Sequence, residues 1–179
     1  MATDSLRTLA RNLGIPERTL RRAANEGLVH GERISERRYR TSLREEAYLR
    51  NHWSVLKQLR GLLRTEPTVR LAVLFGSLAT GEEAEGSDVD LLVAISDPTA
   101  AAAAELSARM TARLRKDVQL VLLRDAEQSP VLMVDALAHG RVLVDRDARW
   151  HDMQQDSSRW QRRARRGAID LADAAPDLS

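Results

Sequence analysis

The chain has 179 residues, of which 43% are hydrophobic and 30% charged, with a formal net charge of +2 and no cysteine. These values exclude wholesale disorder, disulfides, thiolate metal sites and a thiol nucleophile, and they leave room for two small domains. No apolar run approaches the roughly 18 residues of a membrane span, and the N-terminal residues lack the apolar stretch of a secretory signal, so we expect a cytoplasmic protein with no membrane partner.

The charge is distributed unevenly along the chain. Residues 1–66 carry 14 basic and 8 acidic side chains, whereas residues 67–149 carry 9 and 13. This asymmetry indicates that the first segment binds a polyanion and that the second holds cations or uses carboxylates in its chemistry.

Two short amphipathic helices are predicted at the N-terminal end. Apolar residues repeat at helical spacing over residues 5–13 and again over residues 17–26, with Gly14 in the turn between them and Gly27 after the second. A tight turn between short helices is typical of helix-turn-helix modules, whose second helix enters the major groove of DNA. The second helix here presents three arginines outward: Arg18, Arg21 and Arg22.

A short basic hairpin, or wing, is predicted over residues 28–40. Its second arm carries Arg37, Arg38 and Arg40. The string TLARNLGIPERTLRRAANEGLVHGERISERRYR resembles the winged helix of mercury-resistance-type regulators, and the resemblance implies that residues 1–41 bind DNA through these arginines. The alternative is that the arginines are only the solvated face of an amphipathic helix. We favour DNA binding because turn, wing and local charge agree.

A long helix is predicted over residues 42–64. Ser42 followed by Glu45 is a capping box, and apolar residues then recur mostly every three or four positions. Thr65-Glu66-Pro67 is predicted to be a linker, since the residue before a proline avoids helical geometry. Residues 42–66 therefore form a connecting helix and linker.

Two aspartates and a Gly-Ser pair follow the linker. The apolar run over residues 69–75 predicts a buried strand that ends at Gly76-Ser77, and Asp88-Val89-Asp90 opens a second run of strand length. Side chains two residues apart on a strand share a face, so Asp88 and Asp90 can hold a divalent cation together. Ser77 lies at a helix start, where a hydroxyl and backbone N–H groups can bind phosphate.

The string LFGSLATGEEAEGSDVDLLVA closely resembles the signature of minimal nucleotidyltransferases of the DNA polymerase beta superfamily, in which GS, ten residues and DxD follow one another. A predicted helix over 99–114, strand over 118–123, helix over 129–139 and strand over 141–144 extend the resemblance. It implies an α/β (α+β) fold with a small mixed sheet over residues 67–149. It further implies that catalytic Asp88 and Asp90 hold Mg²⁺ (or Mn²⁺) on a nucleoside triphosphate, with ATP favoured, while Gly76 and Ser77 bind its phosphates.

One position departs from that signature. The family carries a third carboxylate on its third strand, where this chain has Gln119. An amide can coordinate a metal ion through its oxygen, but it adds no charge and cannot act as a base. Asp117, two residues earlier on the same face, is the other candidate metal ligand, although an ordinary surface aspartate is the slightly favoured interpretation.

Residues 150–179 are predicted to form one helix over about 150–172 and a frayed tail. The helix carries a dense basic cluster: Arg159, Arg162, Arg163, Arg165 and Arg166. Such a cluster can bind nucleic acid, but four neighbouring aspartates largely offset it. We favour a surface or dimer helix.

Two functional hypotheses follow. The chain resembles the nucleotidyltransferases of two-gene toxin-antitoxin modules, whose partner is often a HEPN-type RNase toxin, and this resemblance implies transfer of a nucleoside monophosphate, AMP favoured, to a partner protein or RNA. The alternative is a DNA-binding regulator whose inactive nucleotidyltransferase domain senses nucleotide or holds a partner. The intact GS and DxD motifs favour the enzyme, and Gln119 favours the regulator.

Overall fold

The computed structural model describes residues 6–35 and 38–173, with side chains up to residue 167. Its elements in chain order are α1 (Leu6–Leu13), α2 (Glu17–Asn25), β1 (Glu32–Arg33), β2 (Tyr39–Arg40), α3 (Leu43–Arg64), β3 (Val69–Phe75), α4 (Gly76–Thr80), β4 (Val89–Ile95), α5 (Ala100–Leu114), β5 (Val118–Leu122), α6 (Leu123–Ala126), α7 (Pro130–His139), β6 (Arg141–Asp145), α8 (Arg149–Gln155) and α9 (Ser157–Asp173). None of these helices is both long enough and apolar enough to cross a membrane.

A mixed four-stranded sheet with the order β5-β4-β3-β6 lies at the centre of the fold. Strand β3 pairs antiparallel with both β4 and β6, and β4 pairs parallel with β5. Because a parallel pair needs a crossover connection, α5 links β4 to β5. The predicted small mixed sheet and the predicted strands and helices between residues 69 and 145 are confirmed to within a residue or two at each end.

The N-terminal elements follow the predicted order. Helices α1 and α2 flank Gly14, which adopts a left-handed backbone with φ +66°, and β1 pairs antiparallel with β2. Arg37 lies outside the described residues. Two helices and a two-residue hairpin do not by themselves establish a DNA-binding module, so that function stays a prediction.

Helix α3 begins at the predicted N-cap Ser42, and the Glu45 carboxylate accepts hydrogen bonds from Arg141 and the His30 N–H rather than completing the capping box. The Glu45 N–H donates to Ser42 Oγ at 3.0 Å. Buried leucines of α1, α2, α3, β3 and β4 form one hydrophobic cluster: Leu9, Leu20, Leu49, Leu74 and Leu91. The segments before and after residue 66 therefore share a core.

The C-terminal segment corrects one prediction. A single helix over residues 150–172 is wrong, because Asp156 leaves helical geometry (φ −87°, ψ 11°) and separates α8 from α9. The break lets α8 contact β6 while α9 packs along α7. Trp150 and Trp160 are thereby buried, at 3% and 6% exposure, in a second hydrophobic cluster on the sheet. Five α9 arginines remain exposed: Arg159, Arg162, Arg163, Arg165 and Arg166.

Candidate active site

The end of β3 brings the Gly-Ser motif against the second aspartate. Phe75, the last residue of β3, pairs with Asp90 on β4, and Gly76 follows with φ +71°. A Cβ atom on residue 76 would lie 2.5 Å from Asp90 Oδ2. Only glycine combines this positive φ with so close an approach to a carboxylate. Ser77 follows within α4 and is partly exposed.

The two predicted aspartates lie at the start of β4, and both are partly exposed. Partial burial, together with the negative charge of Asp88, raises the pKa of Asp90 above its ordinary value. The two carboxylates therefore repel each other, and a bound cation would relieve that repulsion. Two hard carboxylate ligands fit Mg²⁺, which is commonly bound by one or two carboxylates together with substrate phosphates and water.

Gln119 occupies the predicted third position and contacts the aspartates. It pairs with Asp90 in the parallel register of β4 and β5, and its Nε2 donates a 2.5 Å hydrogen bond to Asp88 Oδ2. Gln119 thus adds a hydrogen-bond donor at the position where the resemblance implies a carboxylate.

Asp117 is exposed just before β5, and its backbone carbonyl accepts the Val89 N–H at 2.8 Å. Among the described residues there is no group of three or more histidine, aspartate or glutamate side chains that could hold a metal ion. The carboxylates that the structure brings to the motif are therefore Asp88 and Asp90. The ligand role of Asp117 stays a prediction.

Helix α3 holds the backbone of α4 and the loop that follows it. Tyr48 Oη donates to the Leu78 carbonyl of α4 at 3.0 Å. The His52 ring stacks on Tyr48 with centroids 4.3 Å apart, and His52 Nε2 lies 2.6 Å from Glu83 Oε1. Although burial alone would raise the pKa of Glu83, the hydrogen bond and charge of His52 hold it below its ordinary value.

A buried arginine also supports α4. Arg141 and Glu45 are 3% and 5% exposed, and Arg141 Nε donates to the Ala79 carbonyl at 2.8 Å. The guanidinium also lies 3.5 Å from the centroid of the Tyr48 ring. Sequence reasoning missed these supporting residues. Two signals in the sequence could have indicated them. Tyr48 and His52 are four residues apart on one helix, and Arg141 is the first residue of an apolar strand.

Three of the predicted DNA-binding arginines form ion pairs with nearby glutamates. On α2, Arg21 pairs with Glu17 at 2.6 Å and Arg22 pairs with Glu26 at 2.8 Å, while Arg18 is exposed. On the hairpin side, Arg38 is exposed and Arg40 lies 3.7 Å from Glu32. Exposed ion pairs of this kind contribute little to stability, so a phosphate could replace either carboxylate at small cost.

Comparison with known families gives one match. The profile described as "Polymerase beta, Nucleotidyltransferase" matches residues 57–149, which include both motifs and the whole central sheet. Residues 1–56 lie outside the match. None of the curated proteins compared with the chain matches it significantly.

Solved structures of toxin-antitoxin systems match about two thirds of the chain and nearly all of their own chains. A toxin-antitoxin structure with AMP-PNP is 31% identical over 67% of this chain and 98% of its own, with a TM-score of 0.55. The MntA-HepT toxin-antitoxin structure is 28% identical over 69% and 99%, with a TM-score of 0.52. The structure of a tri-AMPylated Shewanella oneidensis HEPN toxin in complex with MNT antitoxin has the same identity, coverage and TM-score.

Proposed function

The chain belongs to the polymerase beta nucleotidyltransferase family, and from this membership we propose that it transfers a nucleoside monophosphate, AMP favoured, to a partner macromolecule as the antitoxin of a toxin-antitoxin pair. A HEPN-type toxin protein is the favoured acceptor and RNA the alternative, because one matching structure contains an AMPylated HEPN toxin and another contains AMP-PNP. The observation that carries the proposal is the close approach of Gly76, at the start of the turn to which we assign phosphate binding, to the Asp90 carboxylate.

The mechanism follows from these groups. Asp88 and Asp90 would hold Mg²⁺ (or Mn²⁺), which supplies positive charge against the triphosphate. Gly76 and Ser77 bind and orient the phosphates through backbone N–H groups and the hydroxyl. An acceptor hydroxyl oxygen then forms a bond to the α-phosphorus and its proton passes to water, while the bond to the bridging oxygen breaks and pyrophosphate leaves with the electron pair. Positioning and electrostatics supply most of the acceleration.

Gln119 cannot serve as the general base that removes the proton of the acceptor hydroxyl. An amide cannot take a proton from the attacking hydroxyl. Its hydrogen bond to Asp88 instead orients that carboxylate. We therefore expect a slow enzyme. Electrostatic catalysis through Asp88 and Asp90 is retained, but the carboxylate at the third position is missing.

The test incubates the full chain with Mg²⁺, α-labelled ATP, CTP, GTP or UTP, and the product of the adjacent gene. Label from ATP should appear on the partner protein and be absent with Asp90→Asn, which keeps the shape of the side chain but removes its charge. No label on any macromolecule with any of the four nucleotides would reject the transferase and favour the regulator.

The second candidate function is DNA-binding regulation, in which the nucleotidyltransferase domain senses nucleotide or holds a partner. It is favoured by the helix-turn-helix order of α1 and α2 and the hairpin that follows, all outside the family match. Binding of the full chain to promoter duplex should weaken steeply with salt, and Arg38→Ala should flatten the logarithmic slope by about one unit. Arg22→Ala should instead relax sequence preference if that side chain contacts base edges. Absence of binding at low salt would exclude this candidate.

A further inference from the structure

A large groove lies between the N-terminal helices and the edge strand of the sheet. Its volume is about 1120 Å³, and its walls come from the end of α2, the hairpin, the end of α3, β6 and α8. Gly76, Ser77, Asp88 and Asp90 do not line it. This volume is slightly above the roughly 300–1,000 Å³ that small-molecule sites commonly enclose, so the groove has room for a ligand of nucleotide size.

The ionised side chains that line the groove are mainly basic. Four of them are arginines, namely Arg22, Arg33, Arg64 and Arg146, and two are carboxylates, namely Glu26 and Asp145. Both oxygens of Asp145 accept backbone N–H groups at the start of α8, from Arg149 at 3.1 Å and Trp150 at 3.0 Å. Asp145 keeps its charge, but these bonds hold its oxygens at the start of α8, and Glu26 is the groove carboxylate that forms ion pairs with the arginines.

Three arginines share that single carboxylate. Arg22 Nε lies 2.8 Å from Glu26 Oε1 and Arg64 Nη2 lies 3.3 Å from Glu26 Oε2. Arg60, behind the groove wall and only 9% exposed, pairs with the same Oε2. Burial, with the charges of Arg64 and Arg22 added, lowers the pKa of Arg60 to about 10. One carboxylate cannot neutralise three guanidinium groups, so this wall carries an excess of positive charge that an additional anion would relieve.

Apolar side chains complete the groove beside the arginines. Val29, Val142 and Trp150 are lining residues from the segment after α2, from β6 and from α8. A concave site that combines apolar walls with a few convergent polar or charged groups is typical of small-molecule sites. Arginine is the side chain best suited to phosphate, because its planar fork can donate two parallel hydrogen bonds.

We propose that this groove is a second ligand site, distinct from the Asp88–Asp90 site, that binds a small phosphorylated molecule of nucleotide size through Arg22 and Arg64. Both side chains contact Glu26, so their guanidinium groups are close enough together to bind one phosphate group. The proposal does not depend on transferase activity.

The experiment is calorimetric titration of the full chain with pyrophosphate and with ADP in the presence of EDTA. Without a divalent cation, Asp88 and Asp90 repel phosphate, so the transferase site does not contribute. We expect one site per chain, weakened by about tenfold or more in Arg22→Gln/Arg64→Gln because two charge-assisted contacts are lost. Tighter binding of ADP would identify a nucleotide, and equal binding would identify the phosphate group alone.

A matched control removes the same charge elsewhere. Arg11→Gln/Arg113→Gln removes two exposed arginine charges outside the groove and should change the affinity less than about twofold. If the groove variant unfolds, Arg22→Gln alone is decisive, since that side chain is 66% exposed and its loss does not disturb packing. No binding of either probe at millimolar concentration, or equal losses in the groove and control variants, would overturn the proposal.

Discussion

Arg141 and Glu45, 96 residues apart in the chain, form a bidentate ion pair in the protein interior. Arg141 Nη1 lies 2.7 Å from Glu45 Oε1, and Nη2 lies 2.9 Å from Oε2. The pair joins β6 to α3, and Arg141 also donates to the Ala79 carbonyl of α4. Residues 1–56, which lie outside the family match, therefore contribute contacts that support the turn carrying Gly76 and Ser77.

Removal of either the Arg141 or the Glu45 charge should lower the stability of the fold. Glu45→Gln leaves the buried Arg141 guanidinium without its counter-charge, so we expect the free energy of unfolding in urea to fall by about 3–5 kcal/mol. The double variant Arg141→Met/Glu45→Leu removes both charges and should recover only part of that loss, because the Ala79 carbonyl and the His30 N–H then lose their partners. A loss below about 1 kcal/mol for Glu45→Gln would show that water reaches the pair.

The hydrogen bond from Tyr48 to α4 should affect nucleotide use. Tyr48→Phe removes the donor to the Leu78 carbonyl, and Tyr39→Phe removes a matched donor to the Val29 carbonyl, which is not part of α4. Each change should lower stability by about 1 kcal/mol. Only Tyr48→Phe should raise the KM for ATP in the transfer assay, because only that bond holds the turn after Gly76. Equal KM values for the two variants would contradict this role.

Gln119→Asp should lower the stability of the metal-free protein and raise its affinity for Mg²⁺. The substitution replaces the donor to Asp88 with a third negative charge beside Asp88 and Asp90, so we expect a lower Tm in EDTA. Mg²⁺ should raise the Tm of this variant by more than it raises that of the native chain, since binding to the folded state stabilises it. Gln128→Asp makes the same charge change at an exposed position and serves as the control. Equal Mg²⁺ effects in the two variants would place the metal elsewhere.

Glu83 should contribute to the acid sensitivity of the fold. Its pKa is held below the ordinary 4.5 in the folded state by His52, so the unfolded chain binds the proton more readily. The stabilisation is therefore present above the ordinary pKa and is lost over the pH interval below it, as the pH falls through the lower folded value. Glu83→Gln should flatten the fall of Tm across that interval. Glu82→Gln, which breaks only the exposed pair with Arg44, should leave the pH dependence as it is.

The sequence by itself determined the local elements and the two motifs. Apolar runs bounded by proline and glycine are long enough to mark β3, and the Ser42–Glu45 capping box marks the start of α3, because these signals act between residues close in the chain. The spacing of Gly76-Ser77 and Asp88-Val89-Asp90 was sufficient to predict that the two motifs act together.

Only the tertiary structure decided which side chains support those motifs. Gln119 reaches Asp88 because the parallel register pairs β5 with β4, and Arg141 meets Glu45 because β6 packs against α3. The break at Asp156 depends likewise on where Trp150 and Trp160 find apolar partners on the sheet. These contacts join residues distant in the chain, and their free energy comes from burial and charge pairing that exist only when the layers are packed, so no local pattern in the sequence encodes them.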